Sequence, residues 1–432
     1  MKAIILAGGK GTRLGNLSHN LPKPMLRIGG KPLLEHQILL LKRYGIKKII
    51  IITHHFSNVI EEYFQSGEAW GVHISYFKEP KPLGTAGSIK CVEDRLQDED
   101  FLVLYGDLLM DMDLSKLIDF HKQHKGIASL VVHPNNHPYD SDLLEINEHN
   151  QITAFHSKPH DDKAFYPNLV NAAIYAFSPK IFNYLELNIK TDFGKDIFPK
   201  LYLKTSMYAY RSAEYIKDIG TIDRVKQAEK DFASGKVSRL NAENQRNAIF
   251  LDRDGVINKE INLLHRVEDF ELLPNVTEAL KLINQSDYLA ILITNQPIIA
   301  RNMASIEQLK EIHAKMESLL GKEHAYLDAI YFCPHHPDKG YPEENVRYKT
   351  DCNCRKPKIG MLLRAQKHFN IDLKYSYFIG DSDRDIQCAL NAGVTPLGVA
   401  KNGELPQFSQ KPPQIFNDLL SAVEFIMKKG NK

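Results

Sequence analysis

At 432 residues the chain is longer than one hydrophobic core supports, and its 43% hydrophobic and 25% charged residues are those of a folded globular protein rather than a disordered one. The 55 Lys and Arg nearly cancel the 53 Asp and Glu, and the charges are spread along the chain, so no nucleic acid and no membrane surface is expected as a partner.

From the N-terminus, Lys2–Leu6 reads as a buried strand that runs into Gly8-Gly9-Lys10-Gly11-Thr12-Arg13. The apolar run is too short for a signal peptide or a membrane span, which predicts a cytoplasmic protein. Helix-like residues 33–44 and strand-like runs at 48–52, 101–105 and 128–132 then alternate, and that alternation predicts a parallel, doubly wound α/β sheet. The pattern lapses over the polar residues 233–246, read as a linker between a domain at 1–232 and another at 247–432. Strands resume at Ala248–Leu251, 289–294 and Tyr377–Gly380, so the second half is also expected to be α/β. Five cysteines is an odd count, and Cys333, Cys352 and Cys354 crowd into one stretch, which favours metal binding over a disulfide framework.

Gly8, Gly9 and Gly11 follow the first strand directly, where backbone amides can approach a phosphate with no Cβ in the way; plain turn geometry is the alternative. Thr12 and Arg13 close the segment, and Arg13 supplies a fixed charge. The spacing fits neither the dinucleotide nor the P-loop pattern. Taken with Leu21-Pro22-Lys23-Pro24-Met25-Leu26, Leu83-Gly84-Thr85-Ala86-Gly87, Tyr105-Gly106-Asp107, Ser157-Lys158-Pro159 and Lys217-Asp218-Ile219-Gly220-Thr221, it resembles the signature of the sugar-1-phosphate nucleotidyltransferases. The resemblance spans nearly the whole first half, in the expected order. It implies a Rossmann-like domain in which a sugar phosphate attacks the α-phosphorus of a nucleoside triphosphate and pyrophosphate leaves.

That chemistry asks for alignment and charge neutralisation more than for covalent work. Asp107 and Asp218 are the expected Mg²⁺ ligands, hard oxygen donors for a hard cation. By the resemblance, Arg13 meets the triphosphate, Lys23 the reacting phosphates, Lys158 the sugar phosphate, and Gly84, Thr85 and Gly87 the base or sugar. Asn168 and Asn171 lie near a further sugar contact. Each has a bland alternative, a helix cap for an Asp or a solvated surface charge for a Lys. Ser157 stands where many relatives carry an acidic residue. The likeness extends, with Lys31-Pro32-Leu33-Leu34-Glu35-His36-Gln37, to short guanylyltransferases acting on mannose or manno-heptose 1-phosphate, which makes GTP the expected nucleotide.

In the second half, Asp252-Arg253-Asp254-Gly255-Val256-Ile257 places two carboxylates at a strand end before a glycine; a turn or a Ca²⁺ loop is the bland reading. The run resembles the first motif of the haloacid dehalogenase phosphatases. By that resemblance Asp252 attacks phosphorus to give an aspartyl phosphate, and Asp254 protonates the leaving oxygen and later activates water. Thr294, Lys356 and Asp381 with Asp385 complete the set as hydroxyl donor, cation and metal carboxylates. Mg²⁺ is expected on Asp252, Asp381 and the Asp254 carbonyl.

Cys333-Pro334-His335-His336-Pro337 and Cys352-Asn353-Cys354-Arg355-Lys356-Pro357 offer three thiols and an imidazole, a donor set for structural Zn²⁺ at Cys333, His335, Cys352 and Cys354, with His336 an alternative to His335. The arrangement is similar to that of the D-glycero-D-manno-heptose 1,7-bisphosphate phosphatases and, more distantly, the histidinol phosphatases, with Arg355 a substrate-phosphate contact. Pro297 and Ile298 depart from the Ser-Gly of those relatives. A heptose phosphatase would make the sugar 1-phosphate that the first half consumes. The rival readings are a histidinol-phosphatase-like activity beside another sugar transferase, and an inactive first half that senses nucleotide or sugar phosphate. The sequence leaves the oligomeric state open, a homo-oligomer included.

Overall fold

A computed structural model describes residues 1–9, 21–97, 99–338, 340, 344–401 and 403–430. The chain forms two compact units, residues 1–133, 141–158 and 170–242 in the first and 134–140, 159–169 and 243–432 in the second.

In the first unit the strands are β1 (Lys2–Leu6), β2 (Lys48–Thr53), β3 (His73–Lys78), β4 (Phe101–Tyr105), β5 (Leu108–Asp111), β6 (Ala128–His133), β7 (Leu143–Ile146), β8 (Ile152–His156), β9 (Val170–Phe177), β10 (Met207–Arg211) and β11 (Tyr215–Asp218). The main sheet runs β8-β7-β9-β4-β1-β2-β3, with β6 on β9 and β10 on β6. The β3, β2, β1 and β4 strands are parallel, with Leu6 paired to Ile52 on one side and Tyr105 on the other. Beyond β4 the expected parallel order ends, because β9 runs antiparallel to both β4 and β6. A small antiparallel pair, β5 and β11, stands apart.

The four consecutive isoleucines of β2 explain its place inside the sheet: β-branched side chains suit a pleated strand covered on both faces. Helix α1 (Leu33–Arg43) buries Leu34, Ile38 and Leu41 at helical spacing and carries Glu35 in its first turn and Lys42 and Arg43 in its last, matching the helix dipole. These side chains join Ile5, Ile51 and Leu104 in one core, where full burial of each contributes about 1.5–3 kcal/mol. Helix α2 (Gly84–Lys90) follows β3, and α3 (Ile222–Ala233) follows β11.

Residues 233–246 are less irregular than their polarity predicts. They contain a short helix, α4 (Lys236–Arg239), whose Val237, with Leu240, is buried against Leu26, Ile28 and Ile219 of the first unit. Two apolar residues on a single turn are too few to register as a period. The units divide between Ala242 and Glu243.

The second unit is a fully parallel sheet, β14-β13-β12-β15-β16-β17, made of β12 (Ala248–Leu251), β13 (Leu289–Asn295), β14 (Ala329–Cys333), β15 (Tyr377–Gly380), β16 (Thr395–Val399) and β17 (Ile415–Phe416). Its helices include α5 (Val276–Gln285), α6 (Ile306–Lys322), α7 (Gly360–Phe369), α8 (Asp383–Asn391) and α9 (Leu419–Gly430). Capping boxes, Ser305 with Gln308 and Ser382 with Asp385, fix the starts of α6 and α8. Because β12 lies between β13 and β15, the strand order reverses there, and the crevice beyond the carboxyl ends of these strands is where a doubly wound sheet binds ligands.

Candidate active sites

In the second unit that crevice gathers the expected residues. Asp252 follows β12, Thr294 lies in β13, Asp381 follows β15, and Asp385 sits in the first turn of α8. Carboxylate oxygens of Asp252, Asp381 and Asp385 lie within 4.8 Å of one another. Lys356 reaches between them, 2.8 Å from Asp252 Oδ1 and 2.6 Å from Asp385 Oδ1. Two glycines let the groups come this close: a Cβ on Gly255, at φ +80°, would lie 2.2 Å from Asp381 Oδ2, and one on Gly380 would lie 2.2 Å from the Asp385 Cβ.

Three carboxylates around one buried ammonium leave negative charge uncompensated. Burial, then the charge of Asp385, pushes the Asp252 carboxyl up to about 8 against the opposing pull of Lys356. Burial and Asp385 push Asp381 up to about 6. Lys356 moves the other way: burial would lower it, but the Asp252 and Asp385 charges outweigh that and raise it. Asp381 Oδ2 is buried with no hydrogen-bond donor among the described residues. A crowded oxygen cluster of this kind fits a hard divalent cation, and Asp252, Asp381 and Asp385 are the side chains able to hold one.

Asp254 points into a different set of partners. Its Oδ1 accepts from Arg253 Nη2 at 2.9 Å and Asn258 Nδ2 at 3.0 Å, and its Oδ2 from Arg253 Nη2 at 3.0 Å and Gln296 Nε2 at 2.9 Å. Burial alone would raise its pKa, but the Arg253 charge and these hydrogen bonds hold it below the usual carboxylate range. Gln296 Nε2 also donates to Thr294 Oγ1 at 3.0 Å. The side chain of Asn295 grips the Lys356 backbone from both sides, accepting from its N–H at 3.0 Å and donating to its carbonyl at 3.1 Å. Asn258, Asn295 and Gln296 escape sequence reasoning as supports; the available signal is that the last two directly follow Thr294.

The cysteine-bearing loop brings four of its expected donors together. Cys333, His335, Cys352 and Cys354 converge, with Cys354 Sγ 3.3 Å from Cys333 Sγ, 3.2 Å from Cys352 Sγ and 3.4 Å from His335 Nδ1. Four donors at bonding distance around one tetrahedral Zn²⁺ are separated by about 3.3–3.8 Å. The mutual hydrogen bond of Cys333 and Cys354 holds the Cys354 thiol below the usual thiol range and pushes Cys333 above it, so the two share a proton between them. His335, not His336, joins the cluster; His336 Nδ1 accepts the Asp338 N–H instead. Arg355 Nη1 donates to the His335 carbonyl at 3.2 Å, which ties its guanidinium to the loop.

In the first unit, Gly8 and Gly9 follow β1. A Cβ on Gly8 would lie 2.9 Å from Glu79 Oε2, whereas one on Gly9 would meet no atom of the described residues within 4 Å. Gly11, Thr12 and Arg13 lie outside the described residues. Asp107 and Asp218 come together through the β5–β11 pair: Asp218 is in register with Leu108, and the Ile219 N–H donates to the Asp107 carbonyl at 2.9 Å. Each carboxylate has its own cation. Buried Lys23 pairs with Asp107, and Arg224, in the first turn of α3, reaches both oxygens of Asp218 at 2.7 and 2.6 Å. Arg224 has no motif to mark it in the sequence.

Gly84, Thr85 and Gly87, expected at base or sugar, have packing duties. A Cβ on Gly84 would lie 2.4 Å from the Thr191 carbonyl and one on Gly87 2.3 Å from that of Ile189, while Thr85 Oγ1 donates to Asp192 at 2.8 Å and accepts the Phe193 N–H. Lys158 donates its N–H to Asp142 at 3.2 Å, and Asn171 Nδ2 donates to the Tyr175 hydroxyl at 3.1 Å.

Two carboxylate sites at strand ends, each beside a buried lysine, are of the kind that α/β proteins use for phosphoryl chemistry. Comparison with known proteins is more particular. The nucleotidyl transferase family matches residues 2–235 and a HAD-hydrolase-like family matches residues 353–422. The UTP–glucose-1-phosphate uridylyltransferase of Synechocystis is 34% identical over 46% of the chain and 55% of its own length. The mannose-1-phosphate guanyltransferase of Saccharomyces cerevisiae is 34% identical over 56% of the chain and 65% of its own. The D-glycero-beta-D-manno-heptose-1,7-bisphosphate 7-phosphatase of Haemophilus ducreyi is 36% identical over 41% of the chain and 97% of its own. The chain thus spans less than two thirds of the two transferases and nearly all of the phosphatase. It belongs to the nucleotidyl transferase family in its first half and to the HAD-like family of that phosphatase in its second. Among the described residues no helix is long and apolar enough to cross a membrane.

Proposed function

We propose that the chain is a bifunctional enzyme of nucleotide-activated heptose synthesis, with domains at 1–232 and 247–432. The second domain removes the 7-phosphate of D-glycero-D-manno-heptose 1,7-bisphosphate. The first transfers GMP from GTP to the resulting heptose 1-phosphate, releasing pyrophosphate and giving GDP-D-glycero-D-manno-heptose. The observation that carries the reading is the Asp252, Lys356, Asp381 and Asp385 cluster set beside Asp254.

In the phosphatase, an Asp252 oxygen attacks phosphorus while the bond to the sugar oxygen breaks, and Asp254, which must first take up a proton against the charge of Arg253, gives that proton to the leaving oxygen. Water then attacks the aspartyl phosphate, its proton passes to Asp254, and Asp252 and phosphate are regenerated. Thr294 donates to a phosphoryl oxygen, and Lys356 and Arg355 pair with its charge. Mg²⁺ on Asp252, Asp381 and the Asp254 carbonyl supplies charge neutralisation between nucleophile and phosphate when bound, with Asp385 its further support. Cys333, His335, Cys352 and Cys354 would hold Zn²⁺ with four protein donors, and the ion would serve structure by fixing the loop that carries Arg355 and Lys356. In the transferase, Gly8, Gly9, Gly11, Thr12 and Arg13 cradle the triphosphate and Lys23 lies at the reacting phosphates. Lys158 and Asn171 hold the sugar phosphate, with Gly84, Thr85 and Gly87 shaping the base or sugar side. Asp107 and Asp218 are its Mg²⁺ ligands, together with substrate oxygens.

The test incubates the protein with each anomer of heptose 1,7-bisphosphate, Mg²⁺ and one nucleoside triphosphate at a time, following phosphate and pyrophosphate separately. Phosphate is expected with every nucleotide, and pyrophosphate with GTP. Pyrophosphate with ATP, UTP or CTP but not GTP overturns the base, and the uridylyltransferase relative makes UTP the arm to watch. Phosphate from histidinol phosphate but not from heptose bisphosphate overturns the sugar.

A further inference from the structure

Arg253 is the largest fully buried side chain among the described residues, at 0% exposure, and it spends its charge on its neighbour. The Nε and Nη2 atoms fork onto Asp254, at 3.2 Å and at 2.9 and 3.0 Å. The remaining terminal nitrogen, Nη1, lies 3.4 Å from Nε2 of His313, sixty residues away on α6. His313 is itself buried, at 6% exposure, and packs its ring against Phe332 of β14 at 5.8 Å between centroids.

The guanidinium is planar, so fixing Nη1 fixes the plane that presents Nε and Nη2 to the carboxylate. Water cannot reach a fully buried arginine to do this, and an imidazole accepts from Nη1 only with Nε2 unprotonated. Burial, then the Arg253 charge, brings His313 down to about 3, which keeps it an acceptor. We infer that Arg253 and His313 form a positioning pair that holds the Asp254 carboxylate in the orientation from which it takes the proton of the attacking water. The inference rests on the aspartyl-phosphate reading above. In the step concerned, water oxygen bonds to phosphorus, the bond from phosphorus to Asp252 breaks, the water proton goes to Asp254, and phosphate leaves with Asp252 again a carboxylate.

An aryl phosphate isolates that step, because a nitrophenolate departs without needing a proton. With ³²P-labelled 4-nitrophenyl phosphate and Mg²⁺, rapid quench of His313→Leu is expected to show a burst of nitrophenolate at the wild-type rate. Turnover should then fall about tenfold while labelled phosphoenzyme accumulates. His313→Gln, which keeps an acceptor, should return turnover to within a few-fold of wild type, and Arg253→Lys, which loses the fork, should trap phosphoenzyme even where His313→Leu does not fold. Burst and turnover falling together with no trapped label would make the pair merely structural and overturn the inference, as would wild-type turnover in His313→Leu. Absence of any Asp252-dependent label in the wild type would instead sink the reading on which it rests.

Discussion

The two carboxylate sites solve the same electrostatic problem in opposite ways. In the first unit Asp107 and Asp218 are about one third exposed, and each is matched by one cation, Lys23 or Arg224. In the second, Asp252, Asp381 and Asp385 are 13%, 4% and 1% exposed; Lys356 is shared by Asp252 and Asp385, and Asp381 has only the half-exposed Lys401, 3.6 Å from its Oδ2. A paired, half-wet carboxylate must exchange its partner before it can hold a metal, so under the proposed function the first site would be completed by its substrates. A dry cluster short of positive charge attracts a cation by itself. The first design suits a reaction that brings its metal in on a triphosphate; the second suits one in which the metal waits for a monoester.

That contrast is broken most sharply by exchanging the damage. Asp252→Asn should lower phosphate release at least about a thousandfold and leave pyrophosphate release from heptose 1-phosphate and GTP unchanged, and Asp107→Asn should do the reverse. If either variant lost both products, the two sites would not be independent. Next in size, Cys352→Ser should abolish stoichiometric zinc by elemental analysis and raise the KM for heptose bisphosphate about tenfold or more, since the loop that carries Arg355 and Lys356 loses its clip. Retained zinc with unchanged KM would remove the loop from the phosphate site.

Arg224→Ala offers a finer comparison. Freeing Asp218 should lower transferase kcat by roughly tenfold if the arginine positions that carboxylate, while tighter Mg²⁺ binding at undiminished kcat would show it to be a mere counter-charge. The smallest effect concerns stability. His313 has a pKa below its unfolded value near 6.5, so the neutral form is the one folding favours. The groups facing it, Arg253 and Asp254, oppose each other, and burial dominates both. Its contribution is fully present above pH 6.5 and is lost as pH falls from there toward 3. The stability gap between wild type and His313→Gln in urea should therefore shrink by about 1 kcal/mol between pH 7.5 and 5.5. A constant gap would mean that His313 takes up no proton on unfolding.

Much of this was legible in the chain because phosphoryl chemistry places its groups at strand ends, where short runs betray them. Asp252, Thr294, Asp381 and the thiol pairs all stand within or just after the strands that carry them, or inside one short loop. Contacts between elements are harder to read. His313 reads as one more residue on an amphipathic helix, and nothing in its neighbours announces an arginine sixty positions earlier. Arg224 is another surface-helix cation until β11 brings Asp218 beside it. Gly84 and Gly87 are only half legible for a related reason: glycine serves close approach, and the sequence does not announce that the protein's own 189–191 backbone makes such an approach here. The antiparallel turn of the first sheet at β9 likewise depends on pairings that no local period encodes.

Gly255 carries a consequence for how this protein tolerates change. A single methyl there would press on Asp381, and the φ of +80° penalises every side chain besides. In a saturation screen for phosphatase activity, position 255 should score as intolerant as the nucleophile itself, although its residue has no side chain to offer a reactive atom. Gly393, with a φ of +71° but no described atom within 4 Å of a Cβ, should by contrast pay only the backbone cost of a side chain. A map of intolerance over this chain would thus trace the spaces that let charged groups meet as faithfully as the groups themselves.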